Sequence, residues 1–200
     1  MKKAVVYIHG KGGAVGEAAH YAPLFPDSEV LGFDYRAETP WEAKEEFPAY
    51  FAKISAAYDE VRLIANSIGA FFAMHALAGA KIKKAYFISP IVDMERLISE
   101  MMHAVGVDEA TLREKQRIPT PFGETLDYAY LTYVREHPVV WRAPTAVLYG
   151  ERDFLQPRET VEKFAARIGA TLTVMPGGEH WFHTETQMAF LDKWILENPR

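Results

Sequence analysis

The sequence contains no cysteine, which excludes disulfide bonds, thiolate zinc sites and a cysteine nucleophile. Long hydrophobic runs are absent as well. The apolar run after Met1-Lys2-Lys3 covers only Ala4–Ile8, too short for the core of a signal peptide, and no window approaches the roughly eighteen residues of a membrane span. Neither charge dominates, since 22 Lys and Arg residues face 27 Asp and Glu residues, a net charge of −5. This mild acidity argues against a nucleic-acid or anionic-membrane surface, so we expect neither partner. From the short apolar runs we expect a soluble, cytoplasmic protein.

Six short, mostly apolar runs recur along the 200 residues. They are Ala4–Ile8, Glu29–Phe33, Val61–Ala65, Lys84–Ser89, Thr145–Tyr149 and Thr171–Met175. Runs of this kind are typical of strands buried on both faces of a parallel sheet, and several of the intervals between them show helical patterns. The sequence therefore predicts one α/β domain over residues 1–200, with a doubly wound, mostly parallel sheet of about six strands.

Capping residues, proline and glycine indicate where two of the helices begin or end. Thr39 and Glu42 form a capping box that opens one helix. Pro157 opens another, which Gly169 ends.

One interval is too long for a single crossover. About 55 residues separate Ser89 from Thr145, and they contain a helical stripe from Met94 to Val105 and a tyrosine-rich stretch, Leu126–Val134. We predict a mostly helical cap inserted at about residues 93–140. The alternative is that this insert packs as additional core.

Ser67 lies where an apolar strand runs into a helical pattern, with the small residues Ala65 and Gly69 on either side. A nucleophile on such a turn presses the backbone against its neighbours, which requires small flanking residues. The turn also places the hydroxyl beside a helix N-terminus, where a developing oxyanion is stabilised. The alternative is that Ser67 only caps the helix.

A glycine-rich loop, His9–Gly13, follows the first strand. Glycines let the backbone approach a ligand and direct amide hydrogens into a site. With the Ile68 N–H as one oxyanion donor, the Lys11 N–H is our candidate for the second.

Nucleotide binding is the alternative interpretation of this loop, but the spacing of its residues does not match the nucleotide-binding motifs. A G-x-G-x-x-G motif that starts at Gly10 needs glycine where Val15 stands, and a Walker A motif needs Ser or Thr where Gly12 stands. We therefore expect no nucleotide cofactor.

An acid and a histidine follow the last two predicted strands. Asp153 ends the loop after Thr145–Tyr149, and His180 ends the glycine-rich loop after Thr171–Met175. Open α/β sheets place their sites at the carboxyl ends of strands, where a serine nucleophile needs a histidine base and a carboxylate to orient it. Asp93 is the alternative acid.

His183, His180 and Glu179 also invite a metal interpretation, but no H-E-x-x-H motif occurs. We expect no metal, and we interpret His183 as the start of the last helix, with Thr184 and Gln187 as its capping pair.

Together these motifs resemble the α/β-hydrolase fold superfamily. The segments that carry the resemblance are His9-Gly10, Ala65–Gly69, Tyr149–Asp153 and Gly177–His180. The resemblance implies a Ser67–His180–Asp153 triad, an oxyanion hole at Ile68 and near Lys11, and a cap that shapes the substrate pocket. The chain departs from the pattern by lacking two N-terminal strands and by having Ala65 in place of the commoner glycine.

The predicted function is that of a serine hydrolase that cleaves an ester, thioester or amide of a small, partly apolar acyl substrate through an acyl-enzyme on Ser67. It needs no cofactor, and we expect a monomer or homodimer. The alternative is a ligand-binding or partner-binding protein without turnover on the same fold.

Overall fold

The computed structural model describes residues 1–198 of the chain. Its strands are β1 (Lys3–Ile8), β2 (Glu29–Gly32), β3 (Glu60–Asn66), β4 (Lys84–Ile88), β5 (Arg117–Pro119), β6 (Thr125–Asp127), β7 (Thr145–Gly150) and β8 (Thr171–Met175). Its helices are α1 (Ala18–Tyr21), α2 (Pro40–Ala57), α3 (Ile68–Ala76), α4 (Met94–Ala104), α5 (Glu109–Lys115), α6 (Tyr128–Glu136), α7 (Arg158–Ile168) and α8 (Glu185–Glu197). Two short 3-10 turns, Val15–Glu17 and Ala22–Leu24, flank α1. The chain divides into two compact units, Asp93–Val139 and the remainder.

Six parallel strands form the sheet of the larger unit, in the order β2-β1-β3-β4-β7-β8. Each coincides with a predicted run to within one residue at either end, and the predicted α/β class with a doubly wound sheet is confirmed. From β1 the chain adds β2 on one side and then returns to add β3 on the other. The carboxyl ends of β1 and β3 therefore flank the point where strand order reverses, which is where open α/β sheets form a ligand crevice.

Helices on both faces bury aromatic residues against the sheet. On one face Tyr86 packs edge-on against Trp194 of α8 and against Phe25, within a cluster of buried apolar side chains. Another aromatic cluster joins Phe33, just after β2, to Phe47 of α2. Burial of a large apolar side chain stabilises the fold by roughly 1.5–3 kcal/mol. The two clusters hold the strands, and hence their carboxyl ends, in fixed positions.

The predicted helix boundaries are confirmed. Thr39 accepts a hydrogen bond from the Glu42 N–H and completes a capping box at the start of α2. Pro157 precedes α7, and Gly169 ends it at φ 67°, in the left-handed region that glycine adopts without strain. None of the helices within residues 1–198 is long and apolar enough to cross a bilayer.

The smaller unit, Asp93–Val139, contains α4, α5, α6 and the antiparallel hairpin β5–β6. The guanidinium of Arg135 on α6 bonds to the carboxylates of Glu95 and Glu109, at 2.6 and 2.7 Å. The mostly helical prediction omitted the hairpin, whose turn contains Gly123 at φ 84°. Its strands are only three residues long, too short for a period of two to stand out from the surrounding sequence.

Candidate active site

Ser67 is the single residue between β3 and α3, and its backbone is strained. Its φ of 50° and ψ of −120° belong to a conformation that glycine favours. The Ser67 hydroxyl makes no capping bond to α3, so the helix-cap alternative does not describe it. Instead, Ser67 Oγ lies 2.8 Å from Nε2 of His180.

Small residues make this turn possible. A Cβ added to Gly69 would lie 2.3 Å from the carbonyl oxygen of His9 and 2.9 Å from Cγ2 of Ile8. A Cβ on Gly10 would lie 3.2 Å from Cβ of Ser67. The start of α3 is therefore in direct contact with the end of β1 and its glycine-rich loop.

This contact predicts that Gly69→Ala destabilises the protein by at least about 2 kcal/mol, because the obstructing atom is a backbone oxygen that cannot rotate away. Gly79→Ala is the matched control, since nothing lies within 4 Å of its added Cβ, and we expect a change within about 0.5 kcal/mol. Urea unfolding monitored by circular dichroism measures both. Equal stabilities of the two variants would contradict the packing argument.

Asp153 lies in the turn after β7, and its carboxylate is completely buried. One carboxylate oxygen, Oδ1, accepts hydrogen bonds from the backbone N–H groups of Leu155 and Gln156, at 2.8 and 3.4 Å. The other, Oδ2, lies 2.7 Å from Nδ1 of His180. The two bonds to the backbone fix the orientation in which the carboxylate faces the imidazole.

The loops that carry Asp153 and His180 are joined by hydrogen bonds from backbone N–H groups. The Arg152 N–H donates to the carbonyl of Gly178 at 2.7 Å, and the Gly177 N–H donates to the Glu151 carboxylate at the same distance. A Cβ on Gly150 would lie 2.3 Å from the carbonyl oxygen of Glu179. The glycines after β7 and β8 therefore allow an approach that larger residues would prevent.

His180 lies between the serine and the acid. With a proton on Nδ1 donated to Asp153, Nε2 is left as the acceptor for the hydroxyl of Ser67; this tautomer is assigned from the bonding network. The alternative acid, Asp93, instead accepts the N–H of Arg96 at 2.9 Å and caps α4. The carboxylate in contact with His180 is that of Asp153.

The two predicted oxyanion donors lie at the carboxyl ends of neighbouring strands. Ile68 is the first residue of α3, so its N–H has no partner within the helix. Lys11 belongs to the loop after β1, where the Gly13 N–H donates to the Gly10 carbonyl at 3.1 Å. Lys11 and Ser67 line the same cavity.

That cavity has a volume of about 610 Å³ and is lined by residues that the sequence analysis left without a role. They include Tyr7, Glu17, His20, Tyr21, Asn66 and Trp181. Their segments are distant in sequence. A volume of this size accommodates a small organic molecule.

Three of these residues form a hydrogen-bonded chain beside Ser67. The amide of Asn66 donates to the hydroxyl of Tyr7 at 2.9 Å, and that hydroxyl donates to the carboxylate of Glu17, which also accepts the N–H of Ala14 at 3.2 Å. Burial raises the pKa of the Tyr7 hydroxyl far above its ordinary value, so it remains a donor. The chain connects the residue before Ser67 to the segment that follows the glycine-rich loop.

Neither the protein-family models nor the curated protein sequences contain a match to this chain. Several solved structures match this chain in fold. Alpha/beta hydrolase domain-containing protein 10 from mouse superposes with a TM-score of 0.77 at 16% identity, over 96% of this chain and 87% of that one. Est1E from Butyrivibrio proteoclasticus superposes with a TM-score of 0.75 at 18% identity, over 98% and 86%. The chain has the α/β-hydrolase fold.

A third α/β-hydrolase structure, a serine hydrolase homologue from Coxiella burnetii, covers 100% of this chain at 16% identity and a TM-score of 0.65, with 85% of its own length matched. At these identities the likeness shows the fold and does not establish the activity, which depends on the residues of the site. The main sheet of the described residues has six strands, as predicted.

The remaining histidines of the cavity have partners within this α/β-hydrolase fold. His183 Nδ1 lies 2.8 Å from the carbonyl of Trp181, and His20 Nε2 lies 2.7 Å from the carboxylate of Asp192. Within residues 1–198 no three or more His, Asp or Glu side chains form a group that could hold a metal ion. The capping pair Thr184 and Gln187 is confirmed, and α8 starts at Glu185, two residues after His183.

Proposed function

We propose that the protein is a serine hydrolase that cleaves an ester, thioester or amide of a small, partly apolar acyl substrate. One observation carries the proposal: Ser67 Oγ, His180 and the buried Asp153 carboxylate form a continuous line of contacts of 2.8 and 2.7 Å. A serine hydroxyl becomes an effective nucleophile when a base accepts its proton and a carboxylate holds that base in the correct tautomer.

In the first half-reaction, Ser67 Oγ adds to the substrate carbonyl carbon while its proton passes to Nε2 of His180. The carbonyl oxygen becomes an oxyanion, which accepts hydrogen bonds from the N–H groups of Ile68 and Lys11. The bond to the leaving group then breaks, and the leaving group takes the proton from His180. The acyl group remains on Ser67 as an ester.

In the second half-reaction, water attacks the acyl-enzyme as His180 removes its proton. The bond to Ser67 Oγ breaks, the proton returns to Ser67, and the free acid leaves. Asp153 stays ionised throughout and stabilises the imidazolium that forms in each half-reaction. Its complete burial strengthens this interaction, because few solvent dipoles screen the two charges.

Two further features support the proposal. The strained backbone of Ser67 is of the kind that persists at functional sites, where the surrounding structure holds it in place. The cavity at Ser67 also has apolar walls, including Ile88, Phe182 and Leu191, that suit a partly apolar acyl group. The serine hydrolase homologue among the structural neighbours agrees with this chemistry.

A fluorophosphonate probe read by intact-protein mass tests the proposal, because it labels only activated serines. We expect one adduct on the wild-type protein, none on Ser67→Ala or His180→Ala, and one on Ser55→Ala, which removes an exposed serine of α2. A folded wild-type protein without an adduct, or an adduct that persists in Ser67→Ala, would refute the nucleophile. The first of these outcomes would favour a ligand-binding protein.

A further inference from the structure

Two of the most exposed large apolar side chains directly follow the acid and the base in sequence. Phe154, next to Asp153, is 80% exposed, and Trp181, next to His180, is 70% exposed. Single exposed apolar residues are ordinary on protein surfaces. Here one exposed ring lies on each of the two loops that carry Asp153 and His180, and exposed apolar surface concentrated at one site marks a binding surface.

Each ring packs near a histidine of the site. The indole of Trp181 stacks on the imidazole of His183, with centroids 4.2 Å apart and planes at 17°, and His183 is bonded to the Trp181 carbonyl. One face of the Trp181 indole is thus covered by His183. The high exposure of Trp181 leaves the rest of the ring available to a ligand. The Phe154 ring centroid lies 6.5 Å from that of His180.

The cavity at Ser67 determines which part of a ligand reaches Trp181. Trp181 lines the same cavity as Ser67 and His180, so a group against the indole lies within one small molecule's length of the reacting atoms. When the substrate carbonyl lies at Ser67, the part of the substrate beside the scissile bond extends towards Trp181. A flat ring that stacks on indole or phenyl gains an interaction that a saturated group does not make.

We infer that Trp181, which lines the cavity, and Phe154, whose ring lies beside that of His180, form an aromatic recognition surface, so that preferred substrates carry a planar aromatic group attached next to the scissile bond. This inference rests on the proposed function. It assigns a substrate class and makes both residues determinants of specificity, with no part in proton transfer.

The test compares methyl phenylacetate with methyl cyclohexylacetate, two esters that differ in the flatness of the ring. For Trp181→Ala we expect kcat/KM to fall about tenfold on the aromatic ester and less than about threefold on the saturated one, mainly through KM. Phe154→Ala shifts the same ratio in the same direction by a smaller factor. Leu196→Ala, which truncates an exposed side chain of α8, leaves the ratio unchanged.

Equal losses on the two esters in Trp181→Ala would overturn the inference while leaving the hydrolase proposal intact. Both aromatic side chains are exposed, so thermal unfolding of the variants stays close to that of the wild-type protein and a folding defect does not imitate the effect.

A binding measurement separates the inference from catalysis. Methyl phenylacetate is added to Ser67→Ala, which cannot acylate, and saturation-transfer NMR reports contact with the ester protons. We expect a signal that Trp181→Ala in the same background weakens severalfold, even if the wild-type protein hydrolyses neither ester. No signal from the aromatic ester, or no difference between it and the saturated ester, would refute the aromatic surface.

Discussion

Ser67→Ala is expected to reduce kcat by at least about a thousandfold, with the melting temperature nearly unchanged. In the proposed mechanism the hydroxyl attacks the substrate, and the substitution removes its hydrogen bond to His180 Nε2. Alanine has the same backbone restriction as serine at φ 50°, so the strain in the turn is not altered. Steady-state hydrolysis and thermal unfolding measure the two effects.

A double variant sharpens this result. In the proposed mechanism Ser67 and His180 act as one unit, so Ser67→Ala/His180→Ala is expected to be no slower than either single variant. Turnover in Ser67→Ala within tenfold of the wild-type value would show that another group performs the chemistry.

Asp153→Asn is expected to lower kcat by about a thousandfold to ten-thousandfold. The asparagine amide can donate to Nδ1 of His180, which favours the tautomer with a proton on Nε2. That tautomer cannot accept the proton of Ser67, and the negative charge that stabilises the imidazolium is lost as well. The variant keeps the shape of the buried side chain, so we expect it to fold.

Asp93→Asn is the matched control for this prediction, since Asp93 is the other acid that the sequence allows. Its carboxylate caps α4 through the Arg96 N–H, and asparagine caps helices about as well. We expect kcat within twofold of the wild-type value. A larger loss in Asp93→Asn than in Asp153→Asn would reverse the assignment of the acid.

The local pattern determined much of the fold. Continuous apolar runs have to be buried on both sides, which is why β1, β3 and β7 could be located from the sequence to within one residue. Capping boxes act within a single turn, so the starts of α2 and α8 were visible at Thr39 and Thr184. Ser67, Asp153 and His180 each follow the carboxyl end of a predicted strand, and this placement pointed to the candidate site.

The hairpin of the smaller unit and the Asn66–Tyr7–Glu17 chain escaped that reasoning. Tyr7 counts as one more apolar residue of β1 until the structure shows its hydroxyl between Asn66 and Glu17. Asn66 and Tyr7 are 59 positions apart in sequence, and no period or motif links two residues at that separation.

By itself the sequence determined the six strands of the main sheet, the starts of α2 and α8 and the residue types that follow the strands, because those properties depend on burial and on hydrogen bonds between near neighbours. Only the tertiary structure decided that Ser67 contacts His180 across 113 positions, that His180 contacts Asp153, and that Phe154 and Trp181 stand exposed beside them. Those contacts depend on how parallel strands are ordered in the sheet and how the loops at their carboxyl ends pack together. Strand order and loop packing are set by long-range burial, which leaves no local mark on the sequence.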